Sequence, residues 1–280
     1  MNNYPSKVYL NGEIINSNEA KISVFDRGFL FGDGIYEVMV QINGRFFYGK
    51  EHLDRLAYCL KEVAIDFDCS NIQYEINRLL EATDLVEKDC LLYIQITRGT
   101  APRTHAYPKD VQPTIMMYAV PKELPDINLM HASVVTTEDY RWTKCNIKMT
   151  SLLGNVMANE FAMNQNSFET LFVRDGIITE ASHCNVFFVK DGIVFTHPAN
   201  QFILDGITRQ IVIELCHKLN ISIIEKGISM DDIKQMDEAF LTGTSTQIAS
   251  IQKIDNHFFY ENSEIGTITK TLQEAYFKLK

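Results

Sequence analysis

Hydrophobic and polar positions change rhythm several times along the 280 residues. From Val8 to Val40, short apolar runs are cut by Asn11-Gly12 and Asp33-Gly34, and Asn43-Gly44 follows. Asn-Gly and Asp-Gly tolerate the positive φ of two-residue turns, so this stretch predicts strands joined by tight turns. Between Glu51 and Val63 the spacing lengthens: Leu53, Leu56, Leu60 and Val63 recur every three or four residues, and Ile72, Ile76, Leu79 and Leu80 repeat the pattern after Ser70. Two helices with one apolar stripe each are predicted there. Cys90 to Thr97 and Thr114 to Val120 read as buried strands, and Pro121 and Pro125 bracket a linker. These patterns predict an α+β unit over 1–121, a linker over 122–127 and a second unit over 128–280.

In the second unit, Phe172-Val173-Arg174-Asp175-Gly176-Ile177 is echoed by Phe188-Val189-Lys190-Asp191-Gly192-Ile193. Each piece is a strand, an Asp-Gly turn and a second strand, which predicts successive hairpins. A period of 3.6 from Ile207 through Ile211, Val212, Leu215 and Leu219 begins directly after Gly206, so a helix N-terminus falls there and offers its amides to an anion.

Composition narrows the function. Lys and Arg number 26 against 36 Asp and Glu, a formal charge of −10 with no basic run of five, which excludes a protein that binds nucleic acid by displacing counterions from phosphates. With 46% hydrophobic and 22% charged residues the chain is not disordered. No apolar run approaches the roughly 18 residues that span a bilayer, and the opening residues lack the pattern of a secretory leader, so a cytoplasmic protein with no membrane partner is expected. Six scattered cysteines without a C-x-x-C pair read as reduced thiols, mostly buried. The histidines show no ligand spacing with cysteines or carboxylates, and no metal site is expected.

The densest chemical signal is Glu180-Ala181-Ser182, Asn185-Val186-Phe187, Val194-Phe195-Thr196 and Leu204-Asp205-Gly206-Ile207-Thr208-Arg209. It resembles the signature of the class IV, fold-type IV pyridoxal-phosphate aminotransferases. The resemblance continues through Asp26-Arg27-Gly28, Phe31-Gly32-Asp33-Gly34-Ile35-Tyr36-Glu37 and His52-Leu53-Asp54-Arg55-Leu56, and within the family it leans toward the bacterial D-amino-acid aminotransferases. It implies a two-domain α+β architecture: a small α/β N-terminal domain, a larger β-rich C-terminal domain carrying the cofactor lysine, and pyridoxal 5'-phosphate at the domain interface.

The resemblance also assigns roles. Lys148, in Cys145-Asn146-Ile147-Lys148-Met149 ahead of Leu152-Leu153-Gly154, takes the place of the Schiff-base lysine; alone it reads as a solvated lysine on a strand. Such a lysine must lose its proton near neutral pH, which requires partial desolvation or nearby positive charge. Glu180 faces the pyridine nitrogen, and the amides of Ile207 and Thr208, with Arg55 and Thr244, hold the phosphate. Arg55 lies off the leucine stripe, so periodicity by itself places it on a solvated face, and Thr244 reads equally well as part of a polar turn. Arg103 and His105 of Arg103-Thr104-His105, reaching over from a neighbouring subunit, join Tyr36 on the substrate carboxylate, which implies a homodimer with shared active sites.

The implied activity is ping-pong transamination between a D-amino acid of the D-alanine or D-glutamate type and a 2-oxo acid, 2-oxoglutarate or pyruvate. Branched-chain L-amino-acid aminotransferases and aminodeoxychorismate lyases are the alternatives, and both generally lack the Arg-x-His pair. One departure stands out: Ser182-His183-Cys184 occupies a stretch where D-specific relatives carry small hydroxyl residues. His183 either reshapes the side-chain pocket, adds a proton donor, or is simply packed.

Overall fold

In the computed structural model, which describes residues 4–262 and 264–280, the turns predicted at Asn11-Gly12 and Asn43-Gly44 form. Asn11 and Asn43 take φ of 49° and 50°, followed by Gly12 at 97° and Gly44 at 73°, backbone that glycine adopts without steric cost. They join β1 (Lys7–Leu10) to β2 (Glu13–Asn16) and β3 (Gly34–Ile42) to β4 (Arg45–Phe46). Asp33-Gly34 behaves differently and is no hairpin turn. The Asp26 carboxylate caps the amide of Gly28 at 2.8 Å, starting a short helix α1 (Arg27–Phe31) that ends at Gly32 with φ 65°. Side-chain capping within one turn lies below the reach of hydrophobic periodicity, which is why the pattern alone predicts strands there.

The two predicted helices are α2 (Gly49–Glu62) and α3 (Ile72–Ala82), and the buried strands are β5 (Cys90–Thr97) and β6 (Thr114–Pro121). All six strands form one antiparallel sheet in the order β2-β1-β6-β5-β3-β4. Strand alternation gives the sheet two faces. Cys90, Leu92, Ile94 and Ile96 of β5 are buried with Leu56 and Leu60 of α2 and Ile76 and Leu79 of α3, while Leu91, Tyr93 and Gln95 point to a half-buried second face.

The chain divides into two compact units, one comprising Met1–Glu123 and Ile147–Leu152, the other Leu124–Asn146 and Leu153–Lys280. The hexapeptide 147–152 therefore packs with the N-terminal unit, and the expectation that 128–280 carries Lys148 is corrected. The cause is an edge of β3 that β4 leaves uncovered. The amide of Tyr36 donates to the carbonyl of Lys148 (3.1 Å), that of Thr150 donates to the carbonyl of Gly34 (2.9 Å), and Ile147 and Met149 enter the first core.

The second unit contains β7 (His131–Glu138), α4 (Leu153–Asn164), β8 (Glu169–Arg174), β9 (Ile177–Ala181), β10 (Asn185–Lys190), β11 (Ile193–Thr196), α5 (Ile207–Lys218), β12 (Ile223–Glu225), β13 (Glu238–Gly243), β14 (Gln247–Ile254), β15 (His257–Phe258) and α6 (Thr267–Phe277). Its strands follow the order β12-β11-β10-β13-β14-β7-β8-β9, with β15 on β14. The repeated Asp-Gly pieces are the hairpins β8-β9 and β10-β11. Parallel pairings of β7 with β8 and β14, and of β11 with β12, make the sheet mixed. All six cysteines are free thiols, with Cys59, Cys90, Cys184 and Cys216 buried. Among the described residues no helix is long and apolar enough to cross a membrane.

Candidate active site

Each unit carries its own cluster of the expected residues. In the first, β3 places Tyr36 and Glu37 on opposite faces of the sheet. Lys148 is half-buried, with Nζ 4.2 Å from the centroid of the Tyr36 ring and its backbone amide donating to the Cys59 thiol sulfur at 3.4 Å. Tyr36 stacks on Tyr93 (5.8 Å), which stacks on Tyr118 (5.1 Å). That aromatic row crosses three strands and has no signature along the chain.

On the other face Glu37 is fully buried and accepts hydrogen bonds from Arg55 Nε (2.9 Å) and Nη2 (2.8 Å), with His52 Nδ1 3.0 Å away. Burial alone would raise its pKa, but the Arg55 guanidinium and the His52 hydrogen bond outweigh that and hold the carboxylate well below its usual range. Burial pushes the His52 imidazole below its ordinary value. Arg55 is thus nearly buried rather than on a solvated face. Periodicity misplaces it because its counter-charge lies on a strand 18 residues earlier.

Arg103 and His105 lie in an exposed loop beside Phe31, the Arg103 guanidinium 5.0 Å and the His105 ring 5.8 Å from that ring's centroid. Tyr36 has other neighbours in the same chain, Lys148 and Tyr93.

In the second unit Glu180 sits buried near the end of β9. It accepts hydrogen bonds from Arg141 Nη1 (2.7 Å), the Leu204 amide (2.9 Å) and Asn185 Nδ2 (3.3 Å). Desolvation wins over the Arg141 charge and pushes its pKa up to about 7. Arg141 is itself fixed by Asp139, through Nε at 2.9 Å and Nη2 at 3.1 Å, and lies 3.9 Å from the centroid of Phe172. Arg141 and Asp139 escape a reading of the sequence, since nothing local marks them and the partner is 39 residues away.

The helix predicted after Gly206 is α5, and no side chain caps its N-terminus, where Gly206 is extended (φ −68°, ψ 139°). A Cβ on Gly206 would stand 2.2 Å from Asn185 Oδ1, so a larger residue there would push that side chain aside. Asn185 lies opposite Thr242 on β13, whose hydroxyl is buried without a hydrogen-bond partner, and Thr244 follows in the turn to β14. Asn185 Nδ2 also donates to the Leu204 carbonyl at 2.8 Å, joining Glu180 to the approach of α5. An uncapped helix start, an unpartnered hydroxyl and a carboxyl titrating near neutrality together fit a ligand with an anionic end and a basic aromatic nitrogen, as in pyridoxal phosphate.

His183 is paired with Glu169, Nδ1 to Oε2, at 2.7 Å. Burial works against its charge, yet Cys184 and the Glu169 carboxylate push it up to about 11. The structure thus sets a half-exposed His183 against the buried Glu169 carboxylate. With Cys184 these residues form the one group among those described whose ligand atoms fall within 4.8 Å. Sequence spacing does not reveal it because β8 brings Glu169 alongside from 14 residues upstream. Donors already fill both Glu169 oxygens: Oε1 accepts from the Thr170 and Ser182 amides and the Ser182 hydroxyl, Oε2 from His183.

Residues 34–254 match the family model described as amino-transferase class IV. The chain belongs to the class IV aminotransferases and has their fold-type IV α+β architecture. The D-alanine aminotransferase of Staphylococcus epidermidis is 38% identical over 277 residues, covering 98% of this chain and 97% of that protein. Among solved structures, the Escherichia coli branched-chain amino acid aminotransferase aligns with a TM-score of 0.89 at 22% identity over 99% of this chain and 95% of its own. The branched-chain aminotransferase of the thermophilic archaeon Thermoproteus uzoniensis with norvaline gives 0.86 at 24% identity over 98% and 94%. At those identities the two structures bear on the fold.

Glu180 holds its proton more tightly folded than unfolded, so its contribution to stability is complete below the ordinary value of 4.5 and is lost as pH rises through about 7. The unfolding free energy of the cofactor-free wild type, measured in urea relative to Glu180→Gln, should therefore fall across that window. A constant difference would mean that Glu180 titrates like a solvated carboxylate.

Proposed function

We propose that the chain transfers an amino group between a D-amino acid, of the D-alanine or D-glutamate type, and a 2-oxo acid such as 2-oxoglutarate or pyruvate, using pyridoxal 5'-phosphate. The observation that carries this reading is the exposed Arg103–His105 pair in an aminotransferase 38% identical over nearly its whole length to a D-alanine aminotransferase.

When bound, pyridoxal phosphate supplies a protonated ring that withdraws electrons and acidifies the substrate Cα–H. Lys148 would hold the cofactor, and its half-buried Nζ, set against the Tyr36 ring, would serve as the general base and acid for the proton at the substrate Cα. Glu180 keeps a proton at the ring nitrogen, and the rigid Arg141 contact fixes where that carboxyl points. Arg55, the amides of Ile207 and Thr208, and the Thr244 hydroxyl hold the phosphate. Arg103, His105 and Tyr36 bind the substrate carboxylate, and the side from which they hold it decides which enantiomer presents its Cα–H to Lys148.

The same reading makes the protein a homodimer in which Arg103 and His105 serve the neighbouring subunit. Leu153, Val156, Met157 and Phe161 support it, forming an exposed apolar row at helical spacing along α4, a surface suited to burial against a second copy. Sedimentation equilibrium at micromolar concentration should give twice the chain mass; an active monomer would remove the shared-site model.

Purified protein with pyridoxal phosphate should show the visible cofactor band, and D-alanine without any oxo acid should bleach it while L-leucine should not. The reverse pattern would place the enzyme with the branched-chain aminotransferases. Lys148→Ala should lose the band and turnover together. Arg103→Ala should raise the KM for D-alanine, since a charge-assisted hydrogen bond contributes about 1.5 to 3 kcal/mol. An unchanged KM would locate the carboxylate site elsewhere.

A further inference from the structure

The loop bearing Arg103 and His105 has no helix or strand of its own, and both side chains are exposed. A clamp made of a long flexible arginine on an irregular loop binds weakly unless something fixes it beforehand, because immobilising each side chain on binding costs conformational entropy. The structure contains a device that does this. Resting on the reading of Arg103 and His105 as the carboxylate clamp, the geometry points to Arg27 and Phe31 as positioning residues that hold the clamp in its binding geometry.

Three groups converge on one ring. The Phe31 centroid lies 4.7 Å from the Arg27 guanidinium, 5.0 Å from that of Arg103 and 5.8 Å from the His105 ring. Arg27 also grips the loop backbone: its Nη1 donates at 2.7 Å to the carbonyl of Thr104, the residue between the two clamp side chains. Arg27 is 3% exposed, and its Nε donates to Asp33 Oδ2 at 2.7 Å, so its plane is fixed.

Asp33 holds a second arginine in the same way. Arg98 Nε and Nη2 donate to its two oxygens at 2.9 and 3.0 Å, and the Arg98 guanidinium lies 3.6 Å from the centroid of Tyr107, just beyond the clamp. Arg98 is anchored further by the carbonyls of Val63 and Ala64, each at 2.7 Å. One carboxylate thus orients two buried arginines, and each arginine fixes one flank of the loop. Both Arg27 and Phe31 lie on α1, whose cap, Asp26, also accepts from the Thr97 hydroxyl at the end of β5 (3.0 Å), so the loop is referenced to the rigid sheet. A lysine at position 27 would keep the charge beside Asp33, but its donors radiate from one nitrogen, whereas Arg27 reaches Asp33 and the Thr104 carbonyl from separate Nε and Nη1 atoms and offers a planar group to the Phe31 ring.

The test compares the holoenzymes of wild type, Arg27→Lys, Phe31→Leu, Arg103→Ala and the double variant Arg27→Lys/Arg103→Ala. The KM and kcat for D-alanine and the competitive Ki of propionate, a carboxylate with no amino group, are measured alongside the melting temperature. Arg27→Lys and Phe31→Leu should each raise KM and the propionate Ki about tenfold, one clamp contact's worth, with kcat falling less than KM rises and the melting temperature close to wild type. The double variant should weaken propionate by less than the product of the two single effects, because Arg27 acts through the loop that carries Arg103, while His105 still depends on it. If Arg103→Ala weakens propionate while Arg27→Lys and Phe31→Leu leave it at the wild-type value, the positioning role is overturned and the clamp stands. If Arg103→Ala changes neither constant, the clamp itself falls, and the positioning role with it.

Discussion

A charge taken out of water must find a fixed partner of opposite sign, and both clusters of functional residues are organised by that requirement. In the first unit Glu37 is enclosed by Arg55 and His52, and Asp33 by Arg27 and Arg98. In the second, Glu180 meets Arg141, which is held in turn by Asp139. The outcome differs with the donors available. Glu37, with a forked guanidinium and an imidazole on it, is a firm anion; Glu180, with desolvation prevailing over one arginine contact and an amide, titrates near neutrality. The first is suited to fixing an arginine, the second to sharing a proton with a ring nitrogen.

These pairs also mark where the sequence stops being legible. Elements governed by neighbouring residues can be read directly: the leucine stripe of α2, the apolar faces of α3, the Asp-Gly hairpins, the helix beginning after Gly206. Chemistry carried by one contiguous motif, from Glu180 to Arg209, is equally accessible. What escapes depends on partners brought together across a sheet. Arg55 looks solvated until β3 supplies Glu37, and Arg141 carries no mark until β9 places Glu180 beside it. His183 is ambiguous until β8 sets Glu169 against it. The segment 147–152 escapes for a related reason, since an uncovered strand edge recruits backbone by hydrogen bonds that no side-chain pattern records.

The α1 region shows the same limit at a smaller scale. Asp26 and Asp33 are close in sequence and chemically alike, yet one caps a helix and the other orients arginines. Turn chemistry predicts that such residues punctuate the chain; which acceptor each becomes is decided by residues as distant as Arg98.

Asn185 has a mechanical meaning. Its single amide nitrogen holds Glu180 with one hydrogen and the Leu204 carbonyl with the other, while its oxygen faces Gly206 so closely that a larger residue there would displace it. Glu180 and the approach to α5 therefore cannot drift apart without breaking a buried hydrogen bond. One short side chain thus sets the spacing between a carboxyl on β9 and the first turn of α5, two elements that lie in different parts of the sequence.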